Sequence, residues 1–160
     1  MGQEKGDRYD ATIDVGIIAI ALIENPAQND ALSILEQVLK KDIKALIPLS
    51  VILGAYYVLV EVFRADEKEV AYRLSQLVKS KNIDWFETIA KHSMEHILRL
   101  ASEEKIDSWD AYLVSLMQDF DINTVYTTDV KHFSKFSWLK PINPIPLESW
   151  AKYNEWIGKL

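Results

Sequence analysis

The feature that most constrains the fold of this chain is an alternation of short apolar segments with longer helical ones. The short segments predict strands, and stretches of ten or more residues separate them. Such a pattern predicts βαβ units and therefore an α/β protein, a three-layer α/β/α sandwich with a small, mainly parallel central sheet. The strand segments are "ATID" (11–14), "KALIP" (44–48), "IDWF" (83–86), "TVYTT" (124–128) and, as a further candidate, "KPINPI" (140–145).

The composition predicts one domain. The chain has 160 residues, of which 49% are hydrophobic, so a single packed core is expected. We expect residues 1–9 to form a mobile leader and residues 10–160 a single domain that includes a C-terminal helix, "LESWAKYNEWIGKL" (147–160). The absence of cysteine excludes disulfides, zinc fingers and thiol catalysis. Because the leader is charged and no apolar run reaches the roughly 18 residues of a transmembrane helix, we expect a cytoplasmic protein without a membrane partner.

Three aspartates stand where ligands bind in a parallel sheet. Asp14 closes the first predicted strand, Asp129 closes the fourth, and Asp110 lies in the first turn of a predicted helix. Because ligands bind beyond the carboxyl ends of such strands, we expect the three carboxylates to share one edge. Clustered carboxylates repel one another unless a cation lies among them, and oxygen ligands suit Mg²⁺ or Mn²⁺. Such an ion activates water and neutralises a phosphate, which favours phosphodiester chemistry.

Two other interpretations of the polar residues stay open. A single acid at a helix start is usually a cap, and this holds for each aspartate taken alone. The stretch "HSMEH" carries His92 and His96 on one helix face with Glu95 between them, a spacing that suits two zinc ligands. A third protein ligand is not evident, so a solvated helix face is the simpler interpretation. The sequence contains no glycine-rich phosphate loop and no nucleophile elbow.

Four segments, spread over roughly residues 10–145, carry a family resemblance. They are "ATIDVGIIAIAL", "IPLSVILGAYYVL", "SWDAYLVSLMQDF" and "TVYTTDVKHF". In the last two, an Asp-Ala pair opens a helix and a strand then ends in Thr-Thr-Asp, with a phenylalanine four residues later. The chain thereby resembles the PIN domain, the small ribonuclease fold of the VapC-type toxins. The resemblance implies that Asp14, Asp110 and Asp129 are catalytic residues and hold Mg²⁺ or Mn²⁺, which activates water against an RNA phosphodiester.

The sequence departs from the family pattern at two positions. Val15 follows the first acid where most members have threonine or serine, so the hydroxyl that usually supports that acid is missing. The glutamate expected in the middle helix falls at Gly54. Glu61 lies two helical turns later, roughly 10 Å away, and replaces that glutamate only if the helix is oriented unusually. With one ligand fewer, a metal would keep more water ligands and bind more weakly.

Basic residues follow Asp129 closely and are candidates for RNA binding. Lys131 and Lys135, with His132 beside them, would attract a phosphate backbone, although solvated lysines are an equally good interpretation. We therefore expect a Mg²⁺- or Mn²⁺-dependent endoribonuclease, and the resemblance implies a homodimer and an antitoxin partner that blocks the acidic site. The apolar stretch "AYYVLVEVF" (55–63) is either a self-association surface or core. The alternative, favoured by Gly54, is a catalytically degenerate PIN-like domain that binds RNA or a protein without cleavage.

Overall fold

The predicted strand segments all contain strands, and every strand pairing is parallel. The structure is a computed structural model that describes residues 8–160. The strands are β1 (Thr12–Ile13), β2 (Leu46–Pro48), β3 (Asp84–Phe86), β4 (Thr124–Tyr126) and β5 (Lys140–Ile142). β1 pairs with β4 and β4 with β5, while β2 pairs with β3. A parallel bridge between Ala11 and Ala45 joins the two groups, so the order across the sheet is β3-β2-β1-β4-β5.

Helices fill the connections between these strands. The helices are α1 (Val15–Leu22), α2 (Gln28–Leu39), α3 (Ser50–Tyr57), α4 (Glu67–Val78), α5 (Lys91–Glu104), α6 (Ser108–Asp119), α7 (Val130–Phe133) and α8 (Leu147–Ile157). Asp66 caps α4 by accepting a hydrogen bond from the backbone N–H of Glu69 at 2.9 Å, and Asp107 caps α6 in the same way. The segment Val58–Val62 continues α3 as a π-helical turn.

The direction in which the strands are added reverses between β1 and β4. The chain moves outward from β1 to β2 and β3, then returns to the other side of β1 for β4 and β5. Because parallel crossovers are right-handed, the helices before and after β3 fall on opposite faces of the sheet. In agreement, α1 packs on α2 and α3, while α5 packs on α6. The predicted α/β class is confirmed, and the carboxyl ends of β1 and β4 form a topological switch point, where ligands bind in such sheets.

Both ends of the described chain pack onto the domain. Residues 1–7 of the predicted leader lie outside the described residues, whereas Tyr9 packs edge-on against Phe120 with ring centroids 6.2 Å apart. Tyr9, the last residue of the predicted leader, thus contacts the C-terminal end of α6. The predicted C-terminal helix is α8, and its Trp156 packs edge-on against Phe63 with centroids 5.3 Å apart. Among residues 8–160, no helix has the length and apolar character needed to cross a bilayer.

Candidate metal centre

Four aspartates line one cleft at the switch point of the sheet. Asp14 follows β1, Asp129 comes three residues after β4, and Asp107 and Asp110 lie at the start of α6. All four line a cleft of about 290 Å³. The structure therefore brings together the three aspartates predicted from the sequence, and it adds Asp107. The catalytic and metal-binding roles of these residues stay predictions.

Thr127 supports the first of these acids. One carboxylate oxygen of Asp14 accepts the backbone N–H of Val15 at 2.7 Å, and the other accepts the hydroxyl of Thr127 at 2.7 Å. The Thr127 hydroxyl in turn accepts the backbone N–H of Asp129 at 2.9 Å, and the residue is fully buried. A hydroxyl beyond the end of β4 thus takes the supporting role that Val15 lacks. Its only sequence signal was its position directly before Thr128 and Asp129.

His132 lies between two of the acids. Its Nδ1 atom is 2.9 Å from Oδ2 of Asp110 and 2.7 Å from Oδ2 of Asp129. The other oxygen of Asp129 accepts the backbone N–H of His132 at 3.2 Å and so caps α7. Asp107 accepts the backbone N–H of Asp110 at 2.8 Å, so it caps α6 and also lines the cleft. From the sequence, His132 was expected beside a phosphate rather than among carboxylates.

Burial and repulsion between carboxylates raise the pKa of two of these acids, Asp14 and Asp110. Burial raises the pKa of Asp14, which is 8% exposed. The pKa of Asp110 rises to about 7 because the group is buried and because Asp14 lies near it, while the hydrogen bond from His132 opposes this rise. A divalent cation would relieve both effects, since it would offset the negative charge that the protein leaves poorly balanced. The donor set of carboxylate oxygens fits Mg²⁺ or Mn²⁺.

The cleft also has an apolar wall, formed by uncharged residues of α1, α3 and the π-helical turn. It contains Val15, Gly54, Tyr57 and Val58. A Cβ atom added to Gly54 would lie 2.8 Å from Cγ2 of Val15, closer than unstrained carbon atoms approach. The two departures from the family pattern, Val15 and Gly54, are therefore linked, because a methyl group of Val15 occupies the space that a side chain at position 54 needs. Glu61 is exposed and is not among the lining residues of the cleft, so it does not replace the missing glutamate.

The two candidate RNA-binding lysines differ in their surroundings. Lys131 is exposed. The ammonium group of Lys135 donates to the backbone oxygens of Glu104 at 2.8 Å and Lys105 at 3.3 Å, at the C-terminal end of α5. Lys135 thus has a structural contact that an RNA phosphate would have to displace. Both assignments to RNA stay predictions.

The two histidines that suggested zinc lie outside the acidic cleft. Nε2 of His96 is 3.0 Å from the side-chain oxygen of Gln118, and His92 is exposed. Over residues 8–160, the metal-ligating side chains that come together are instead Asp107, Asp110 and His132, whose ligand atoms lie within 4.8 Å of one another. The zinc interpretation therefore gains no third ligand from the described residues.

Comparison with known proteins supports the fold. No protein-family model matches the sequence, and neither does any curated protein. Among solved structures, the chain is similar to a toxin-antitoxin complex from Klebsiella pneumoniae, with 19% identity over 86% of this chain and 100% of that chain and a TM-score of 0.57. It is also similar to VapC20 of Mycobacterium tuberculosis, a sarcin-ricin loop cleaving toxin, with 12% identity over 79% of this chain and 95% of that chain and a TM-score of 0.62. The predicted fold class is thereby confirmed, because the chain shares its fold with both structures.

Proposed function

We propose that this protein is a PIN-type ribonuclease that hydrolyses RNA phosphodiester bonds with Mg²⁺ or Mn²⁺. The observation that carries the proposal is the meeting of four aspartates from three separate chain segments in one cleft at the switch point. A structural role alone would not require buried acids to accumulate there, because uncompensated carboxylates destabilise one another.

The side chains of the cleft have distinct parts in this proposal. Asp14, Asp110 and Asp129 would hold the ion, and Asp107 would do so directly or through water. When bound, the ion would activate water and offset the charge of the phosphate. Thr127 orients two of these acids, since its one hydroxyl contacts the carboxylate of Asp14 and the backbone of Asp129. Exposed lysines near Asp129 would draw the RNA backbone toward the cleft.

The toxin role, the homodimer and the antitoxin partner belong to the same proposal. They are supported by the fold shared with a toxin-antitoxin complex and with VapC20. A surface on α3 and α4 also exposes apolar side chains, with Leu53 at 70%, Tyr57 at 63% and Tyr72 at 65%. Exposed apolar side chains such as these are candidates for protein contact. The stretch 55–63 is therefore divided between surface and core, because Ala55 and Leu59 are fully buried.

A second candidate function is a PIN-like domain that binds RNA or a protein without cleaving. The observation that favours it is the contact between Val15 and Gly54, which removes one acid and leaves no room to restore it. In this alternative, the imidazole ring of His132 would take the place of a metal ion by contacting both Asp110 and Asp129.

Cleavage of single-stranded RNA in millimolar Mn²⁺ separates the two functions. The wild type is compared with Asp110→Asn and with Asp121→Asn, a matched control on a side chain that is 94% exposed. We expect wild type and the control to cleave, and Asp110→Asn to be slower by on the order of 10³-fold, since several kcal/mol of charge stabilisation is lost. If the wild type cleaves no faster than Asp110→Asn, the ribonuclease proposal is wrong. RNA binding without cleavage would then support the second candidate.

A further inference from the structure

The nitrogen of His132 sits at the spacing of a metal ligand. Its Nδ1 atom lies 2.9 Å from Oδ2 of Asp110 and 2.7 Å from Oδ2 of Asp129. Adjacent ligands of an octahedral ion, each about 2.1 Å from the metal, lie about 3 Å apart. Asp107, Asp110 and His132 have ligand atoms within 4.8 Å of one another and form the mixed nitrogen and oxygen group found among residues 8–160. The imidazole is thus close enough to Asp107 and Asp110 for these three side chains to hold one ion.

The backbone around His132 holds the ring in this place. The carboxylate of Asp129 accepts the N–H of His132 at 3.2 Å, and the adjacent Phe133 is fully buried. The His132 side chain is 33% exposed, so one edge of the ring reaches solvent while Nδ1 faces the acids. An anchored ring loses little freedom when it binds an ion, which favours ligation.

The apolar wall makes a nitrogen ligand on the acidic wall more important. Gly54 has no side chain to hold a metal, and the methyl groups of Val15 lie 2.8 and 3.3 Å from where a Cβ would be. The carboxylates of the cleft come instead from Asp14, after β1, and from the aspartates at the starts of α6 and α7. His132, in α7, is the nitrogen ligand of the metal-ligating group.

We propose, building on the ribonuclease proposal, that His132 binds the metal through Nδ1 and makes the site select Mn²⁺ over Mg²⁺. Imidazole suits transition metals, whereas Mg²⁺ prefers oxygen ligands and keeps several waters. His132 would then supply a protein ligand in place of the family's missing glutamate. The competing account is that the imidazolium is a resident cation that any metal must displace.

The test measures metal binding directly, without RNA. Mn²⁺ and Mg²⁺ affinities are determined by calorimetry for wild type, His132→Ala and His132→Gln, with His92→Ala as a control on an exposed histidine. Pulsed electron paramagnetic resonance of bound Mn²⁺ reports whether a nitrogen is coordinated. Circular dichroism checks the fold, and His132→Gln keeps a hydrogen-bonding side chain if the alanine variant fails to fold.

We expect the His132 variants to lose the nitrogen coupling and to bind Mn²⁺ at least about tenfold more weakly, with Mg²⁺ affinity changed much less. His92→Ala should behave like wild type. The proposal is overturned if the coupling persists without His132, or if the affinities for both metals fall equally. A rise in both affinities would overturn it in favour of the resident cation. RNA cleavage by wild type but not by Asp110→Asn would leave the ribonuclease proposal standing in either case.

Discussion

The two walls of the cleft differ in chemistry although they face the same space. One wall carries four aspartates, with His132 bound to two of them, and the other consists of Val15, Gly54, Tyr57 and Val58. The acidic wall accumulates charge that the protein does not balance by itself, whereas the apolar wall is closed by direct packing. The charged side chains of the cleft therefore all belong to the acidic wall, and the apolar wall offers none. Variants on each wall test this contrast.

The largest expected effect is a loss of stability as the acidic wall ionises in metal-free protein. The pKa of Asp110 is raised from 3.8 to about 7, so the folded state binds the proton more tightly than the unfolded state. The stability is therefore fully present below the lower pKa and is lost as the pH rises through about 7. Between pH 5 and pH 8, we expect the free energy of unfolding to fall by about 1–3 kcal/mol from this group.

Urea denaturation in the presence of a chelator measures this effect. Asp110→Asn should flatten the pH dependence, because the amide does not titrate, and Mn²⁺ should restore the stability of wild type at pH 8 by binding the folded state. If the free energy of unfolding of Asp110→Asn depended on pH as in wild type, ionisation of Asp110 would not be the cause of the lost stability.

The next effect concerns the hydroxyl that organises the acidic wall. Thr127→Val keeps the volume of the side chain but removes its contacts with the Asp14 carboxylate and the Asp129 N–H. Leaving buried polar groups unpaired should cost about 1–3 kcal/mol of unfolding free energy. Thr127→Ser retains the hydroxyl and serves as the control in chemical denaturation. Equal stability of the valine and serine variants would contradict this role.

A smaller effect, with a change of sign, is expected on the apolar wall. Gly54→Ala should destabilise wild type by about 1 kcal/mol, because its Cβ would lie 2.8 Å from a methyl group of Val15. In a Val15→Ala background the same substitution should instead stabilise by up to about 1 kcal/mol, since alanine favours helices. A double-mutant cycle by denaturation measures the coupling. Additive effects would show that the two residues do not restrict each other.

The smallest effect is expected outside both walls. Lys131→Ala should weaken RNA binding about two- to threefold at low salt and make the binding less salt-dependent, because it removes one phosphate contact. Lys135→Ala should change RNA affinity less, since its ammonium group is already bound to carbonyl oxygens at the end of α5. Fluorescence anisotropy with a short RNA, at several salt concentrations, compares the two. A larger loss in Lys135→Ala would reverse this assignment.

Much of the fold followed from local pattern. Short apolar segments between helical stretches became parallel strands, and the aspartates that close β1 and follow β4 met at the sheet edge where the topology rule places ligands. Asp107, one turn before Asp110, likewise caps its own helix through a contact three residues along the chain. These features depend on hydrophobic periodicity and on the alternation of strands with helices, and both can be recognised from residues close together in the sequence.

Contacts between distant segments were beyond the reach of such patterns. Thr127 bonds to Asp14 across 113 residues of chain, and His132 reaches Asp110 across 22. Sequence reasoning placed His132 with the lysines as a basic residue, because nothing local shows that α7 turns its imidazole toward α6. It also treated Val15 and Gly54 as separate departures from a family pattern, although their side-chain positions exclude each other.

The sequence by itself determined the strands, the helices and the places of the acids at their ends. It did so because hydrophobic periodicity and helix caps act over a few residues. Only the tertiary structure decided which side chains face one another across the cleft, and so where charge accumulates and where room for another ligand is closed. The physical reason is that packing, burial and electrostatic interaction depend on distances in space between segments that the chain order keeps far apart.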